Sequence, residues 1–440
     1  MTDASASVPA SAADVMPREL VLRHVLLFHR HGDRTPVLTT IGDKWQMTPE
    51  ELAFWETKAV SKETLAKLER AGKTVGADPS LPPPPPSKRS YNYPLGELTQ
   101  KGVDHMRGKG KKLKERYGHL VAAPTGESGD AATDSTNNSD HVFVLSSSVP
   151  RTVQSVQCLL HGMFHDDDDE AEPGVNDAVA TIITAEATAV TETPVAIEAT
   201  VSAAADGSSK PTFHIRTYER NVLAPSHSLR VFMEIEAIVS DEVEKREQHE
   251  KEEMAALALH LRDTLGISHE VTMPWTAIRD GLTCRLAHDL PLPEGITQEM
   301  FDQICAYDTW LWYRLYEKKE FCFKAFKYGV REVYEHLKKV VTENPRPAPK
   351  LSFFSAHDNS IVALVSALQL QVGPELPEYG TIVAFEIYED QVTKEHYVKV
   401  LFEDREVPFA GHEHDPLCPF THFEALAMDF LTIKEEELEQ

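Results

Sequence analysis

Phe28-His29-Arg30-His31-Gly32-Asp33-Arg34-Thr35-Pro36 is the segment that decides how the rest of this sequence is interpreted. It continues an apolar, β-like run that begins at Leu20, and Pro36 prevents further strand, so a loop at a strand end is predicted. Arg30 and Arg34 suit a phosphate or a carboxylate, and the histidine between them could be a nucleophile, a base or a ligand. Gly32 has no Cβ and would let the backbone approach a bound group closely. By composition, the pattern Arg-His-Gly-x-Arg-x-Pro is expected on the order of once in ten thousand such chains, which favours a functional loop over a solvated charged turn.

The composition limits the classes of function. The chain has 440 residues, 41% of them hydrophobic, and a net charge of -26. This length accommodates one large domain with an insertion, or two domains. The negative mean field repels polyanions, so we expect no nucleic-acid or anionic-membrane binding, and any phosphate site must be a local cluster of positive charge. No segment approaches the ~18 apolar residues of a membrane span.

The cysteines and the N-terminus indicate a reducing compartment. Five cysteines are widely spaced and form no Cys-x-x-Cys pair, and residues 1–18 lack the apolar core of a signal peptide. We therefore predict a cytoplasmic protein with a disordered leader at residues 1–18. The segment His412-Glu413-His414-Asp415 could bind a metal, but without a fourth ligand an exposed polar loop is the simpler interpretation. We expect no metal and no cofactor.

Two further strand-to-helix junctions carry polar side chains. A strand is predicted at residues 141–145 and a helix from Pro150 to Phe164, which places Arg151 at a helix N-terminus, where backbone amides favour an anion. Another strand is predicted at residues 350–355, with a helix after it. Ligands collect at the carboxyl ends of strands in an open α/β sheet, so the side chains at these junctions should converge. They are Arg30, His31, Arg34, Arg151, His357 and Asp358.

This set of side chains suits phosphoryl transfer. Three arginines can stabilise a phosphoryl group, whose transfer is catalysed mainly by positioning and by charge. One neutral imidazole can attack phosphorus, and one protonated carboxyl can give its proton to the departing oxygen. The sequence contains no Gly-rich Walker loop, so nucleotide-driven chemistry is not supported.

The remaining segments give a coarser picture. Residues 45–76, 229–266 and 298–342 are predicted to be largely helical, and residues 381–388 and 396–403 to pair as antiparallel strands. The aromatic residues of the third helical segment could line a pocket for an apolar group, although core packing is favoured. A helix after Thr99, a stiff proline loop at residues 81–87, a disordered loop at residues 122–140 and an acidic, Ala/Thr-rich insertion at residues 164–210 complete the chain.

Together these motifs resemble the histidine acid phosphatase family, a branch of the phosphoglycerate mutase-like fold. The resemblance extends from Leu20 to about Phe423 and rests on residues 30–36 and on Ala356-His357-Asp358. Weaker similarities are found in four segments: residues 96–102, Asp280-Gly281-Leu282-Thr283-Cys284-Arg285, Pro377-Glu378-Tyr379 and Cys418-Pro419-Phe420. His412 stands roughly where secreted members would place the partner of Cys418, which fits a reduced form.

The resemblance implies a mechanism. His31 would be the nucleophile that becomes phosphorylated, and Asp358 the acid that protonates the leaving alcohol. Arg30, Arg34, Arg151 and His357 would bind the phosphate oxygens, and water would hydrolyse the phosphohistidine without a metal. A mutase or phosphotransferase using the same intermediate, and a catalytically silent phosphate-binding scaffold, are the alternatives. Phytate, lysophosphatidic acid, sugar phosphates and phosphoproteins all remain compatible as substrates.

The resemblance also implies the architecture. We expect an α/β fold with a mostly parallel central sheet flanked by helices, and a second, mostly helical cap domain across a cleft. Residues 19–36, 95–163, 211–225 and 332–432 would form the core, and residues 37–94 and 226–331 the cap.

Overall fold

The computed structural model describes residues 18–80, 82, 92–122, 141–165, 210–218, 220–226, 240–343 and 349–433. The predicted leader, the proline run, the loop at 122–140 and the acidic insertion lie almost entirely outside these residues.

A nine-stranded mixed sheet forms the centre of the fold, in the order β10-β9-β8-β1-β7-β5-β6-β4, with β11 paired to β9. The five strands β4, β6, β5, β7 and β1 are parallel, and β8 to β11 add an antiparallel side. The predicted mostly parallel α/β sheet is confirmed. The strands of this sheet are β1 (Leu20–Arg30), β4 (Gly72–Val75), β5 (Val142–Ser146), β6 (Phe213–Arg216), β7 (Leu351–Ala356), β8 (Ile382–Asp390), β9 (His396–Phe402), β10 (Arg405–Glu406) and β11 (Leu417–Pro419); β2 (Thr40–Ile41) and β3 (Trp45–Gln46) form a separate pair.

Eleven α-helices flank the sheet in the described part of the chain. They are α1 (Pro49–Lys58), α2 (Lys62–Leu68), α3 (Gln100–Tyr117), α4 (Pro150–Phe164), α5 (Ser240–Glu253), α6 (Ala255–Leu265), α7 (Trp275–Ala287), α8 (Gln298–Tyr316), α9 (Lys319–Glu343), α10 (Asp358–Ala367) and α11 (Phe420–Leu431). Two start signals act as predicted: the Thr99 side chain caps α3 by accepting from the Gly102 amide, and Pro150 opens α4.

Three apolar clusters hold these layers together. Alternate side chains of β1 enter opposite faces of the sheet: Leu26 and Phe28 pack with α9, α10 and α11, whereas Val25 and Leu27 pack with α3 and α4. The third cluster is formed mainly by α6, α7 and α8, with Ile41. The predicted helical region therefore has a core of its own.

The structure corrects one prediction of local structure. Residues 72–75, predicted as helical, form β4 at the edge of the central sheet. Four residues that include a glycine give too weak an alternation to be recognised as a strand. The predicted helical segment 298–342 is observed as two helices, α8 and α9, and α9 packs on the sheet through Phe321 and Phe326. The predicted antiparallel pair at residues 381–388 and 396–403 is observed as β8 and β9.

Helices α3 and α4 cross closely because glycine stands at the contact. A Cβ on Gly110 would collide with the carbonyl oxygen of Leu159, and one on Gly162 with that of Arg107. The backbones can therefore approach more closely than side chains would allow. At the other end of α4, the Ser155 hydroxyl accepts from the Gly32 amide at 2.9 Å, so the N-terminal part of α4, with Arg151, lies beside the β1 loop.

We expect Gly110→Ala to lower the free energy of unfolding by about 1–3 kcal/mol because the two helices must separate. Gly108→Ala is the matched control: it lies on the same helix, and an added methyl group would have nothing within 4 Å. The better helix propensity of alanine should make that control more stable by up to about 1 kcal/mol. Urea denaturation measures both. Equal effects of the two variants would contradict the close crossing.

Candidate active site

The parallel register brings three strand ends to one edge of the sheet. Arg30 at the end of β1 aligns with Ala356 of β7, and Ser146 at the end of β5 aligns with Ser355. The alignment continues beyond the strands, since the His31 amide donates to the Ala356 carbonyl at 3.1 Å. The residues that follow each strand therefore lie side by side, as the sequence predicted for the three junctions.

His31 has a defined tautomer. Its Nδ1 lies 2.8 Å from the Gly32 carbonyl oxygen, which can only accept, so Nδ1 carries the proton and Nε2 has a free lone pair. The residue is 2% exposed. Burial first, and then the charges of Arg151 and Arg30, hold the pKa of His31 well below its usual value. The imidazole is therefore neutral even in mildly acidic solution.

Arg30 joins the two sides of the site. One of its terminal amino groups pairs with Asp358 at 2.9 Å, and the other donates to the Pro377 carbonyl at 2.6 Å. The Arg30 guanidinium carbon lies 4.2 Å from the centroid of the Tyr379 ring. The centroids of the Tyr379 and His31 rings are 5.8 Å apart. An arginine held by an ion pair, a carbonyl and an aromatic face has few alternative rotamers.

His357 and Arg151 form the opposite wall. The His357 ring lies 5.6 Å from that of His31, and its Nε2 is 3.1 Å from the Ser147 hydroxyl. Burial first, and then the charge of Arg151, lowers the pKa of His357 to about 3. Arg151 is half-buried in the first turn of α4. Its charge acts on both histidines, which places it with the other two arginines around one site.

Asp358 begins α10 and remains partly open, with 27% of its side chain exposed. Its Oδ1 accepts from the Asn359 amide at 2.8 Å. Burial alone would raise the pKa of this carboxyl, but Arg30 and Arg279 lower it below its ordinary range. Without a ligand the carboxylate form is therefore favoured.

Helix α7 supplies site contacts that the sequence analysis did not assign. Asp280 pairs with Arg34 at 2.6 Å, and the Cys284 thiol lies 3.8 Å from Arg34 and 3.4 Å from the Tyr379 hydroxyl. His288, just after α7, donates to the Asp33 carboxylate at 2.7 Å. Asp280, Cys284 and Tyr379 stand in segments quoted for the family resemblance, which was the available signal for them; His288 had none.

Gly32 packs closely against helix α3. A Cβ at this position would lie 2.9 Å from Met106, 3.1 Å from the Gly102 carbonyl and 3.2 Å from Leu98. The missing side chain therefore lets the loop pack against the start of α3, and its predicted close approach to a bound group stays a prediction. Gly102 is its counterpart on the helix, because a Cβ there would collide with the Asp33 carbonyl. The two glycines allow the loop and the helix to interlock.

The aromatic residues of the third predicted helical segment are explained by packing. Tyr313 and Tyr316 of α8 are buried in the main apolar cluster, and Trp310 packs against the third. Core packing, the favoured interpretation of these aromatics, agrees with this arrangement.

Within the described ranges no three potential ligands lie together as a metal site, the His412 loop included.

The fold and the site define an α/β protein in which arginines and histidines lie together at the carboxyl edge of the central sheet. A family model described as histidine phosphatase superfamily (branch 2) matches residues 21–228 and 328–403. The chain belongs to this superfamily.

Known relatives agree with this membership over nearly the whole chain. Venom acid phosphatase Acph-1 of Apis mellifera is 25% identical over 98% of this chain and 90% of its own length. Counting factor 60 of Dictyostelium discoideum is 24% identical over 94% of this chain and 86% of its own. The structure of Hafnia alvei phytase with tartrate superposes with a TM-score of 0.53 at 13% identity, covering 95% of this chain and 99% of that one, which shows a shared fold. The predicted class, a phosphoric monoester hydrolase of the histidine acid phosphatase family, is confirmed.

No helix in the described ranges is both long and apolar enough to cross a membrane.

Tyr379 should position Arg30 through its ring and not its hydroxyl. We expect Tyr379→Leu to lower kcat/KM on an aryl phosphate about tenfold, since a desolvated cation–π contact contributes roughly 0.5–2 kcal/mol. Tyr379→Phe is the matched control and should stay within about threefold of the native value, because the partner of the hydroxyl within the described ranges is the Cys284 thiol. Steady-state kinetics and inhibition by inorganic phosphate measure the effect. A loss of the same size in both variants would assign the role to the hydroxyl instead.

Proposed function

We propose that this phosphatase works through a phosphohistidine formed on His31. The observation that carries the proposal is the state of this ring: Nδ1 is bound to the Gly32 carbonyl, and Nε2 has no hydrogen-bond partner among the described residues. Nε2 is also not sealed from solvent. A neutral imidazole with one free nitrogen between arginines is the arrangement that in-line attack on phosphorus requires.

The phosphoryl oxygens would be bound by Arg30, Arg34, Arg151 and His357. The guanidinium groups are oriented before the substrate arrives, Arg30 by Tyr379 and Arg34 by Asp280. Preorganised charge stabilises the transferring group without reorganisation during the reaction, which is where most of the rate gain in phosphoryl transfer originates. The same groups would remain in place while water attacks the phosphohistidine.

Asp358 would be the acid that protonates the leaving alcohol. Its depressed pKa means that the free enzyme does not hold the proton, so the proton must come with the substrate. A phosphomonoester carries one near pH 6. When its oxygens attract Arg30, the ion pair of Arg30 with Asp358 weakens, and the proton can pass to the carboxylate. Substrate binding would thus protonate Asp358 and make it a general acid.

Several finer statements belong to the same proposal. Family membership supports a hydrolase over a silent scaffold, and product analysis in the presence of glycerol would separate hydrolysis from the phosphotransferase alternative. The charge stabilisation comes from arginine, so we propose that no metal is needed.

The five cysteines are free thiols, which supports the cytoplasmic location, although one matched relative is a venom protein. We also propose the cap at the predicted residues 37–94 and 226–331, apart from β4 and the start of α9, which pack with the central sheet; the third cluster, which includes Ile41, supports it.

His31→Ala and Asp358→Asn test the two roles separately. We expect His31→Ala to lose about a thousandfold or more on every phosphomonoester because the proposed attack on phosphorus uses this imidazole. Asp358→Asn should lose about 10²- to 10⁴-fold on glycerol 2-phosphate, whose leaving alkoxide needs a proton, but far less on 4-nitrophenyl phosphate. Rates are measured with excess EDTA, and circular dichroism verifies folding.

Native rates in the His31 variant would reject the mechanism. Equal losses on both esters in the Asp358 variant would reject the acid role alone. Loss of native activity in EDTA would reject metal independence.

The pH dependence follows from the same groups. Because the His31 pKa lies well below 6.5, kcat/KM should stay level from about pH 6 to about pH 5 and fall about tenfold per unit above pH 6, as the ester loses its proton. With an aryl phosphate whose second pKa is lower, the pH at which kcat/KM begins to fall should decrease by the same number of pH units.

Buried histidines with lowered pKa values must gain protons on unfolding, so the free energy of unfolding decreases as the pH falls below about 6.5. Tryptophan fluorescence at each pH therefore serves as the control for folding. If the pH at which kcat/KM falls did not change with the second pKa of the ester, the substrate would not be the source of the proton.

A further inference from the structure

Arg279 on α7 is a buried arginine to which the proposed mechanism assigns no contact with the substrate. Its Nε donates to the carboxylate of Asp308 on α8, which also accepts from the Thr276 hydroxyl at 2.7 Å. Asp308 is completely buried, and the Arg279 side chain is 9% exposed. The pair holds the guanidinium of Arg279 through its Nε, and the two terminal amino groups form its outer end.

The outer end has no protein partner in the described ranges. The two terminal amino groups of Arg279 donate to no acceptor there, and neither is sealed from solvent. Arg30 and Arg34 differ, because each uses both terminal groups on protein oxygens. Donors without a protein acceptor are satisfied by water or by a ligand. The open end therefore suits an acceptor from outside the chain.

The position of Arg279 indicates which part of a substrate it would meet. The next residue, Asp280, pairs with Arg34 at 2.6 Å, and Cys284 one turn further lies beside Tyr379. The positive charge of Arg279 also acts on Asp358 and contributes to its lowered pKa. Asp358 is the group assigned to the leaving oxygen, so Arg279 lies on the leaving-group side of the phosphoryl site.

We propose that Arg279 binds a second oxyanion carried by the leaving alcohol, so that the preferred substrates are phosphomonoesters with one further carboxylate or phosphate. A guanidinium with two free amino groups matches such a group by paired, charge-assisted hydrogen bonds. One additional arginine suits one additional oxyanion and not a polyanion. This inference rests on the proposed function, because it takes the leaving-group side from the role of Asp358.

The test compares three esters with similar leaving groups: phenyl phosphate, 3-carboxyphenyl phosphate and 1,3-phenylene bisphosphate. The measured quantity is the ratio of kcat/KM for each ester that carries a second oxyanion to that for phenyl phosphate. We expect Arg279→Gln to lower this ratio about 10- to 100-fold, the range of a lost charge-assisted hydrogen bond. The larger loss identifies whether carboxylate or phosphate is the preferred group.

Two further variants keep the test informative. Arg279→Gln leaves Asp308 buried without its cation, so the double variant Arg279→Gln/Asp308→Asn, which keeps a neutral pair, should show the same ratio if the single variant is unstable. Arg285→Gln is the matched control: it removes a partly buried arginine from the same helix, where it pairs with Glu51 and donates to the Pro291 carbonyl. Its ratio should equal the native one.

An unchanged ratio in both Arg279 variants would overturn the inference, as would an equal loss on all three esters, which would mean that Arg279 acts only through Asp358. A native chain that hydrolyses none of the esters would overturn the proposed function and this inference with it. A native chain that hydrolyses all three without preference would overturn the inference alone.

Discussion

The alignment of β1 with β7, and of β7 with β5, is the constraint on which the site depends. It places Arg30 opposite Ala356 and Ser146 opposite Ser355, so that three loops leave the sheet at one edge. A slip of one residue would reverse the face of every side chain on the strand. Val25 and Leu27 enter one apolar cluster and Leu26 and Phe28 the other, so such a slip would exchange them between two packed cores. The burial of apolar side chains is therefore what fixes the position of the reactive ones.

Charge is organised locally against the charge of the whole chain. The net charge is -26, yet the site contains Arg30, Arg34, Arg151 and Arg279. Arg30, Arg34 and Arg279 each pair with a carboxylate, which is Asp358, Asp280 and Asp308 respectively. Fixed partners reduce the repulsion among the guanidinium groups and orient them. In the proposed mechanism an incoming phosphate would meet aligned donors, and the pair of Arg30 with Asp358, whose carboxylate is partly open, would rearrange around it.

The chemistry of the site was more predictable from sequence than its support. Arg30, His31, Arg34, Arg151, His357 and Asp358 follow predicted strands in patterns rare enough to recognise, and the structure places them together. Asp280, Cys284 and Tyr379 were visible only as parts of similar segments, because a partner of an arginine has no local signature. Arg279 and His288 gave no signal, since their contacts depend on how α7 packs. The same limit explains β4, whose four residues became a strand only beside β6, and Gly32, whose neighbour proved to be α3.

Helix α7 makes the helical region part of the candidate active site. Asp280 contacts Arg34, and His288 at the end of the helix contacts Asp33, so two residues of the β1 loop are held from outside the sheet. The helix itself is held by Ile278 and Leu282 in the third apolar cluster. Small displacements of a binding group weaken catalysis well before they unfold a protein. Packing between α7 and α8 should therefore influence phosphate binding without any contact to phosphate. Because the same helix carries Arg279 towards Asp358, the orientation of the guanidinium groups and the choice of leaving group would change together when this packing changes.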